Sequence, residues 1–339
     1  MPIARRSILQ AAALAPLLVA RDPPPRTILV LGGTRFVGRH IVDAALARGH
    51  RVTLFNRGRT NPGLFPGVER VLGDRNGDHH ELRGRRWDVA VDTSGTEPGP
   101  VERACDVLVD AVDRYVYVSS AAAYARDADP YDEDHPLRRA PADGPRNYNE
   151  NKAHAEAIVG SRFASRRIIL RPAVLVGPHD PRHRFVRWPL RAREGGEALA
   201  PGAPDDRLPL SDARDLATWL IAQIERATTG TYNVAGPPHT MADLIAAAQR
   251  HGAFTPVWID RPWLAAREVD FDSLPSLHAS GYHAMSSARA AALGLRFRSL
   301  AASMADVVAW WDAEPRPPHR IAGLTRAREH ELLSAWRAG

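Results

Sequence analysis

The chain has 339 residues, 44% of them hydrophobic and 25% charged, which suits one large or two ordinary globular domains and excludes a disordered polypeptide. Its formal charge of +6 comes from arginines scattered along the sequence, so anionic small molecules account for it as well as nucleic acid does. The single cysteine, Cys105, excludes an intramolecular disulfide framework and a cysteine-based zinc cluster, and no His-Glu-x-x-His is present.

In chain order, residues 1–26 stand apart. Arg5-Arg6 precedes Ser7-Ile8-Leu9, an Ala/Leu stretch runs to Ala20, and Pro23-Pro24-Pro25 follows. The apolar run is too short for a comfortable membrane span, whereas paired arginines before a mild apolar region resemble a bacterial twin-arginine export signal. A periplasmic or extracellular location is therefore expected, with a cytoplasmic one as the alternative, and this segment is set aside from fold reasoning.

From Thr27 short apolar runs alternate with helical periodicity. Ile28 to Leu31 reads as a buried strand, Phe36 to Arg48 as a helix closed by Gly49, and Arg51 to Phe55 as the next strand. Val68 to Leu72, Asp88 to Val91 and Tyr115 to Val118 are further strands, the last preceded by a helix over Val101 to Val112. A helix over Asn149 to Phe163 and a strand over Arg167 to Leu170 complete the pattern of a parallel, doubly wound α/β sheet occupying residues 27–175. Beyond Val176 the texture turns to Pro, Gly and Arg, with a helix over Ala213 to Arg226, a strand over Gly230 to Val234 and a helix over Met241 to His251. Residues 176–339 are expected to form a smaller substrate-side region, of which about 205–235 packs back on the sheet. Trp258, Trp263, Phe271, Trp310 and Trp311 read as its small core. His79-His80 and Glu329-His330-Glu331 read as solvated surface, and no metal site is expected.

The first strand runs into Gly32-Gly33-Thr34-Arg35-Phe36-Val37-Gly38, which opens a helix. Glycines there allow a tight turn and close approach of backbone to a pyrophosphate, whose charge meets the helix N-terminus. Gly32, Thr34, Arg35, Phe36, Val37 and Gly38 are therefore candidate dinucleotide contacts. The second strand ends on Asn56-Arg57-Gly58-Arg59, with no carboxylate where the ribose of NAD would meet one, so NADP is favoured over NAD. Asn56 remains a ribose contact should NAD bind, and Asp74 could accept from the adenine amino group.

Lys152 is the only lysine among 45 basic residues, and it lies four residues after Tyr148. With seven tyrosines in the chain, a randomly placed lysine would complete such a pair in roughly 2% of cases. The spacing puts both on one face at the start of a helix. A phenol, with a free pKa near about 10, needs its anion stabilised to exchange protons at neutral pH, and a neighbouring ammonium does that. Ser120 ends the strand Tyr115 to Val118 on the sheet edge where ligands bind, and its hydroxyl could orient a substrate oxygen beside Tyr148.

Leu31-Gly32-Gly33-Thr34-Arg35-Phe36-Val37-Gly38, Val118-Ser119-Ser120 with Tyr124, Tyr148-x-x-x-Lys152, Arg171-Pro172 with Val176-Gly177-Pro178, and Ser211 to Ala217 together resemble the extended short-chain dehydrogenases/reductases of the NAD-dependent epimerase/dehydratase family. More narrowly, the glycine turn with Phe55-Asn56-Arg57-Gly58 is similar to a bacterial subgroup with export signals and to chloroplast stem-loop RNA-binding proteins of the same fold. The resemblance implies a Rossmann domain, a nicotinamide cofactor, and Ser120, Tyr148 and Lys152 as catalytic residues. Two departures matter. Arg35 replaces the middle glycine of the family loop, and Ala121-Ala122 follows Ser120 where sugar dehydratases carry an Asp-Glu pair. Epimerisation or carbonyl/alcohol redox chemistry on a sugar or nucleotide sugar is expected rather than dehydration, and His179 and Arg184, in a basic stretch, are candidate substrate contacts. An RNA-binding or assembly protein and a non-turnover cofactor-bound sensor are the alternatives. Nucleic acid is the less expected partner, and a homodimer is admitted.

Overall fold

The computed structural model describes residues 24–125, 132–139, 147–269, 285–314 and 323–339. The twin-arginine stretch and Phe271 lie outside these residues. Along the first half run β1 (Thr27–Leu31), α1 (Phe36–Ala47), β2 (Arg51–Asn56), β3 (Glu69–Leu72), β4 (Trp87–Asp92), α2 (Pro98–Leu108), β5 (Val112–Val118), α3 (Tyr148–Phe163), β6 (Arg167–Pro172) and β7 (Val174–Val176). There follow α4 (Arg187–Glu194), β8 (Glu197–Pro201), β9 (Arg207–Leu208), β10 (Leu210–Asp212), α5 (Ala213–Glu225), β11 (Gly230–Val234), β12 (His239–Thr240), α6 (Met241–Ala248), β13 (Thr255–Ile259), α7 (Arg261–Ala265), α8 (Ala288–Ala292), α9 (Leu300–Ala313) and α10 (Arg326–Arg337).

Seven strands form one sheet in the order β11-β6-β5-β4-β1-β2-β3, and every pairing in it is parallel. Parallel strands are covered on both faces, which explains why β1 and β4 read as continuous apolar runs. On one face α1 and α5 bury Ile41, Val42, Ala45, Leu216, Leu220 and Ile224 against Ile28, Val30, Val89 and Val116. On the other, α2 and α3 bury Val101, Ala104, Leu108, Ala155, Val159 and Phe163 against Leu29, Leu31, Ala90 and Tyr115. The chain order reverses between β1 and β4, so the crevice at the carboxyl ends of these strands is the topological switch point where such sheets bind ligands.

The later region is built from two-stranded pieces, β7 with β10, β8 with β13 and β9 with β12. Its core gathers Phe185, Trp188, Leu244, Ile245, Met304, Val307 and Trp311, with Trp258 and Trp310 packed partly buried against it. β11 leaves this region to pair with β6 in register Gly230↔Ile168 to Val234↔Pro172.

Three local expectations are corrected. The helix expected over Val101 to Val112 spans Pro98–Leu108, because Pro98 has the φ that suits a first helical turn and Val112 pairs with Trp87 as the start of β5. The helix expected from Asn149 begins at Tyr148, because Asn147 caps it: Asn147 Oδ1 accepts from the amides of Asn149 (3.0 Å) and Glu150 (3.1 Å), and Glu150 Oε2 accepts from the Asn147 amide (3.3 Å). Glu329, read with its neighbours as solvated, is buried against Arg191, and His79 is not solvated either. It is fully buried with its ring 5.4 Å from that of Phe55, which keeps its imidazole below the ordinary histidine range through burial and the nearby Arg75 and Arg103.

Candidate active site

The turn after β1 meets both requirements of a backbone cradle. Gly32 and Gly33 have φ of +107° and +84°, and a Cβ at Gly33 would stand 2.5 Å from Leu54 Cδ2. Gly38 serves packing: a Cβ there would come within 3.0 Å of the Gly33 nitrogen, so α1 sits directly on the turn. Helix α1 starts after Arg35 with no side-chain cap and no acidic residue in its first turn, which leaves its first amides to an outside anion. Before it lies a cavity of about 540 Å³ walled by residues 32–37, 55–60 and 73–76 and by Thr93, Ser94, Thr96, Glu97, Pro100 and Pro181. Gly32, Thr34, Arg35, Phe36, Val37, Asn56, Arg57 and Asp74 all stand in that wall, with Arg59 adding positive charge and Arg75 paired to Asp92. The turn, the open helix end and the cationic wall fit a dinucleotide.

Asn56 is already engaged. Its Nδ2 donates to the Gly32 carbonyl (2.8 Å) and its Oδ1 accepts from the Gly58 amide (2.9 Å), so it staples the end of β2 to the glycine turn. Asp74 accepts from the Asn76 amide through Oδ1 (3.0 Å).

Lys152 is 5% exposed, and its Nζ donates to the carbonyls of Gly95 (2.7 Å) and Val118 (2.8 Å). The ammonium lies 4.8 Å from the centre of the Tyr117 ring and 5.9 Å from that of Tyr148. Burial brings its pKa down to about 8, against the upward pull of Asp92 and Glu156 and with a further downward push from Arg75. Tyr148, on the first turn of α3, is half exposed at 49% and reachable by a substrate. Ser120 follows β5, and its Oγ accepts from the Ala122 amide (3.1 Å), which leaves its own hydrogen to donate. The structure thus brings Tyr148 and Lys152 together. Ser120, Tyr148 and Lys152 are not among the residues that wall the cavity; the link is Gly95, which binds Lys152 and adjoins the wall residue Ser94 in the chain.

A buried polar network fixes α3 on the sheet. Glu156, one helical turn after Lys152, accepts from Ser119 Oγ (2.5 Å) and from Arg171 Nη2 (2.6 Å) and Nε (3.0 Å). Arg171 Nη1 donates to the Tyr124 hydroxyl (2.8 Å), which in turn donates to Asn233 Oδ1 (2.7 Å). Burial alone would lower the Arg171 pKa, and Glu156 and Tyr124 outweigh it, so the guanidinium is held charged.

His179 and Arg184 are engaged within the loop whose Pro181 lines the cavity. His179 Nδ1 pairs with Arg39 of α1 (3.1 Å), its ring packs edge-on against Trp310 (5.0 Å), and burial beside Arg39 and His40 drives its pKa down to about 3. Arg184 donates to the buried Asp180 (3.2 Å) and to the Leu175 carbonyl (3.0 Å). Both side chains brace their own loop against its neighbours. Arg214 and Asp215, in the first turn of α5, bind separate partners: Arg214 holds Asp212 and Asp306, and Asp215 holds Arg298. Sequence reasoning missed Glu156, Asp92, Arg75 and Gly95. A carboxylate four residues after Lys152 on the same helix face, and another ending the apolar strand Trp87–Asp92, were the available signals.

Sheet order, glycine turn and cavity define a Rossmann-type α/β protein with a dinucleotide-sized crevice. The sequence profile of the NAD dependent epimerase/dehydratase family matches residues 28–76 and 101–235, more than half of the chain. The chain belongs to that family. It is 26% identical over 249 residues to the chloroplast stem-loop binding protein of 41 kDa b of Arabidopsis thaliana, a match covering 66% of this chain and 62% of that protein, so the chain spans about three fifths of its curated relative. Its fold is similar to that of the UDP-glucose 4-epimerase of Thermus thermophilus, solved with NAD (TM-score 0.65, 18% identity, 85% of this chain and 100% of that one). It is similar also to the Bordetella bronchiseptica enzyme WbmG, solved with NAD (TM-score 0.66, 18% identity, 87% and 96%).

Proposed function

We propose that the chain is an NAD(P)-dependent epimerase or reductase acting on a sugar or nucleotide sugar through Ser120, Tyr148 and Lys152. The observation that carries this reading is Lys152 itself, a buried ammonium beside the Tyr148 ring, held by the carbonyls of Val118 and of Gly95, the chain neighbour of the cavity-wall residue Ser94. The nicotinamide, when bound, supplies a reversible two-electron acceptor. The protein's own part is proton chemistry and positioning. Lys152 favours the anionic form of Tyr148 by charge, Tyr148 takes or returns the proton of a substrate hydroxyl, and Ser120 donates to the substrate oxygen and orients it. Dehydration lacks support, since the apolar Ala121-Ala122 follows Ser120.

The cofactor pocket would be formed by Gly32, Thr34, Arg35, Phe36, Val37 and Arg57, with Gly38 seating the helix and Asp74 available to the adenine amino group. Arg35, Arg57 and Arg59 in the wall favour NADP over NAD. A higher affinity for NADP that Arg57→Ala abolishes supports this preference, and equal affinities overturn it. Purifying the intact protein, identifying any retained cofactor by mass and testing a panel of UDP-sugars checks the whole reading. A nicotinamide dinucleotide and turnover are expected, and neither binding nor turnover would sink it.

A second reading, RNA stem-loop binding, is favoured by the chloroplast relative. Binding of single-stranded or hairpin RNA that weakens steeply with salt would support it, and a flat salt response would remove it. Export is proposed on Arg5-Arg6 and the apolar stretch that follows. Sequencing the mature N-terminus from fractionated cells tests it, an intact Met1 in a purely cytosolic pool counting against it.

A further inference from the structure

The turn that follows β4 ties the cavity to the lysine. Asp92, fully buried, accepts through Oδ1 from the amides of Ser94 (3.0 Å) and Gly95 (2.9 Å) and through Oδ2 from the Tyr115 hydroxyl (3.0 Å). The Gly95 carbonyl, turned by this arrangement, receives both Lys152 Nζ (2.7 Å) and the Tyr117 hydroxyl (2.9 Å). Only glycine fits there, because a Cβ would stand 2.8 Å from Asp92 Oδ2 and 2.7 Å from Val101 Cγ2. Arg75, in the cavity wall, clamps Asp92 with two hydrogen bonds (2.7 and 2.9 Å) and donates to Ser94 Oγ (2.5 Å).

We propose that Arg75 and Asp92 are positioning residues for Lys152: the carboxylate folds residues 92–95 so that the Gly95 carbonyl is aimed at Nζ, and the guanidinium holds that carboxylate from the cavity side. The inference rests on the reading of Lys152 as part of the active site. Burial alone would push the Asp92 carboxyl up, and Arg75 with the Ser94 amide outweighs it, so the group stays ionised. The charged and titratable groups facing Lys152 are then Asp92 from β4, Arg75 from the loop after β3, Tyr117 from β5, and Tyr148 and Glu156 from its own helix. Two of them carry opposite charge and form one clamp, so removing either moves the lysine in opposite directions.

Because Lys152 is the only lysine, the full chain grown on carbon-13 lysine gives a single side-chain Cε resonance whose pH titration reads this group alone. The wild-type midpoint is expected at about 8. Asp92→Asn should lower the proton affinity of Lys152 and Arg75→Gln should raise it, each by about tenfold, the effect of a near charge in a buried site. Opposite displacements support the couple. No displacement in either variant, or displacement of both in one direction as in a generally loosened site, overturns it. Should Asp92→Asn not accumulate folded, Arg75→Gln decides alone: a raised midpoint supports the proposal and an unchanged one overturns it. The readout needs no substrate, so a tuned lysine without turnover would count against the proposed reaction and not against this couple.

Discussion

Two buried arginine–carboxylate pairs, one in each half of the molecule, show how similar physics is put to different uses. Arg171–Glu156 (2.6 Å) and Arg191–Glu329 (2.8 Å) are equally sealed from water. Each also satisfies the remaining polar atoms that make a buried pair tolerable. Glu329 takes the Leu199 amide (3.0 Å), and Arg191 donates to the Gly195 carbonyl, so that pair pins α10 onto α4 and β8. Glu156 takes Ser119 at the end of β5 and stands one helical turn from Lys152, so its pair fixes the helix that carries Tyr148 against the ligand edge of the sheet. A buried ion pair is by itself a packing device, and its neighbours decide whether it also organises proton chemistry.

The largest expected effect falls on the lysine. Lys152→Met, and equally Lys152→Arg, whose planar fork cannot replace a compact ammonium between the Gly95 and Val118 carbonyls, should lower turnover by about 10²–10⁴-fold. The ammonium predominates below its pKa of about 8 and is lost as pH rises through that value, so the wild-type rate profile should carry an alkaline limb there that the Met variant lacks. Next come the two pairs. Glu156→Ala and Glu329→Ala should each cost about 3–5 kcal/mol in denaturant unfolding, since each leaves a buried guanidinium unpaired. Glu156→Ala should also lower the Lys152 midpoint, because Glu156 raises it, whereas Glu329→Ala should leave that midpoint in place. Equal effects of the two variants on the lysine would dissolve the contrast. The smallest effect is Gly33→Ala, which must displace Leu54 at a φ of +84° and should cost about 1–3 kcal/mol together with weaker cofactor binding, read by calorimetry.

The same contrast explains what was legible in the sequence. The first half follows two periodicities, and its strands and helices emerge within a few residues of their bounds, with the glycine turn, Ser120, Tyr148 and Lys152 marked by residue type and spacing. Errors came where one side chain decides a boundary, as Asn147 does for α3 and Pro98 for α2. The later half rests on strands of two to five residues and on arginines whose partners are distant in sequence: Arg191 meets Glu329 and Arg298 meets Asp215. His179 and Arg184 looked like anion-binding residues for that reason, since composition gives their charge and only the fold gives their partners. Asp92 and Arg75, 17 residues apart, were hidden in the same way although they border the site.

The central claim is that Tyr148 exchanges the proton that turnover requires, and it is tested most directly by comparing wild type with Tyr148→Phe on whichever sugar of the UDP-sugar panel the wild type turns over, at equal cofactor content. The half-exposed position of the Tyr148 ring should let the variant fold and bind as the wild type does, with turnover falling by about 10²–10⁴-fold. Turnover preserved in Tyr148→Phe would contradict the account.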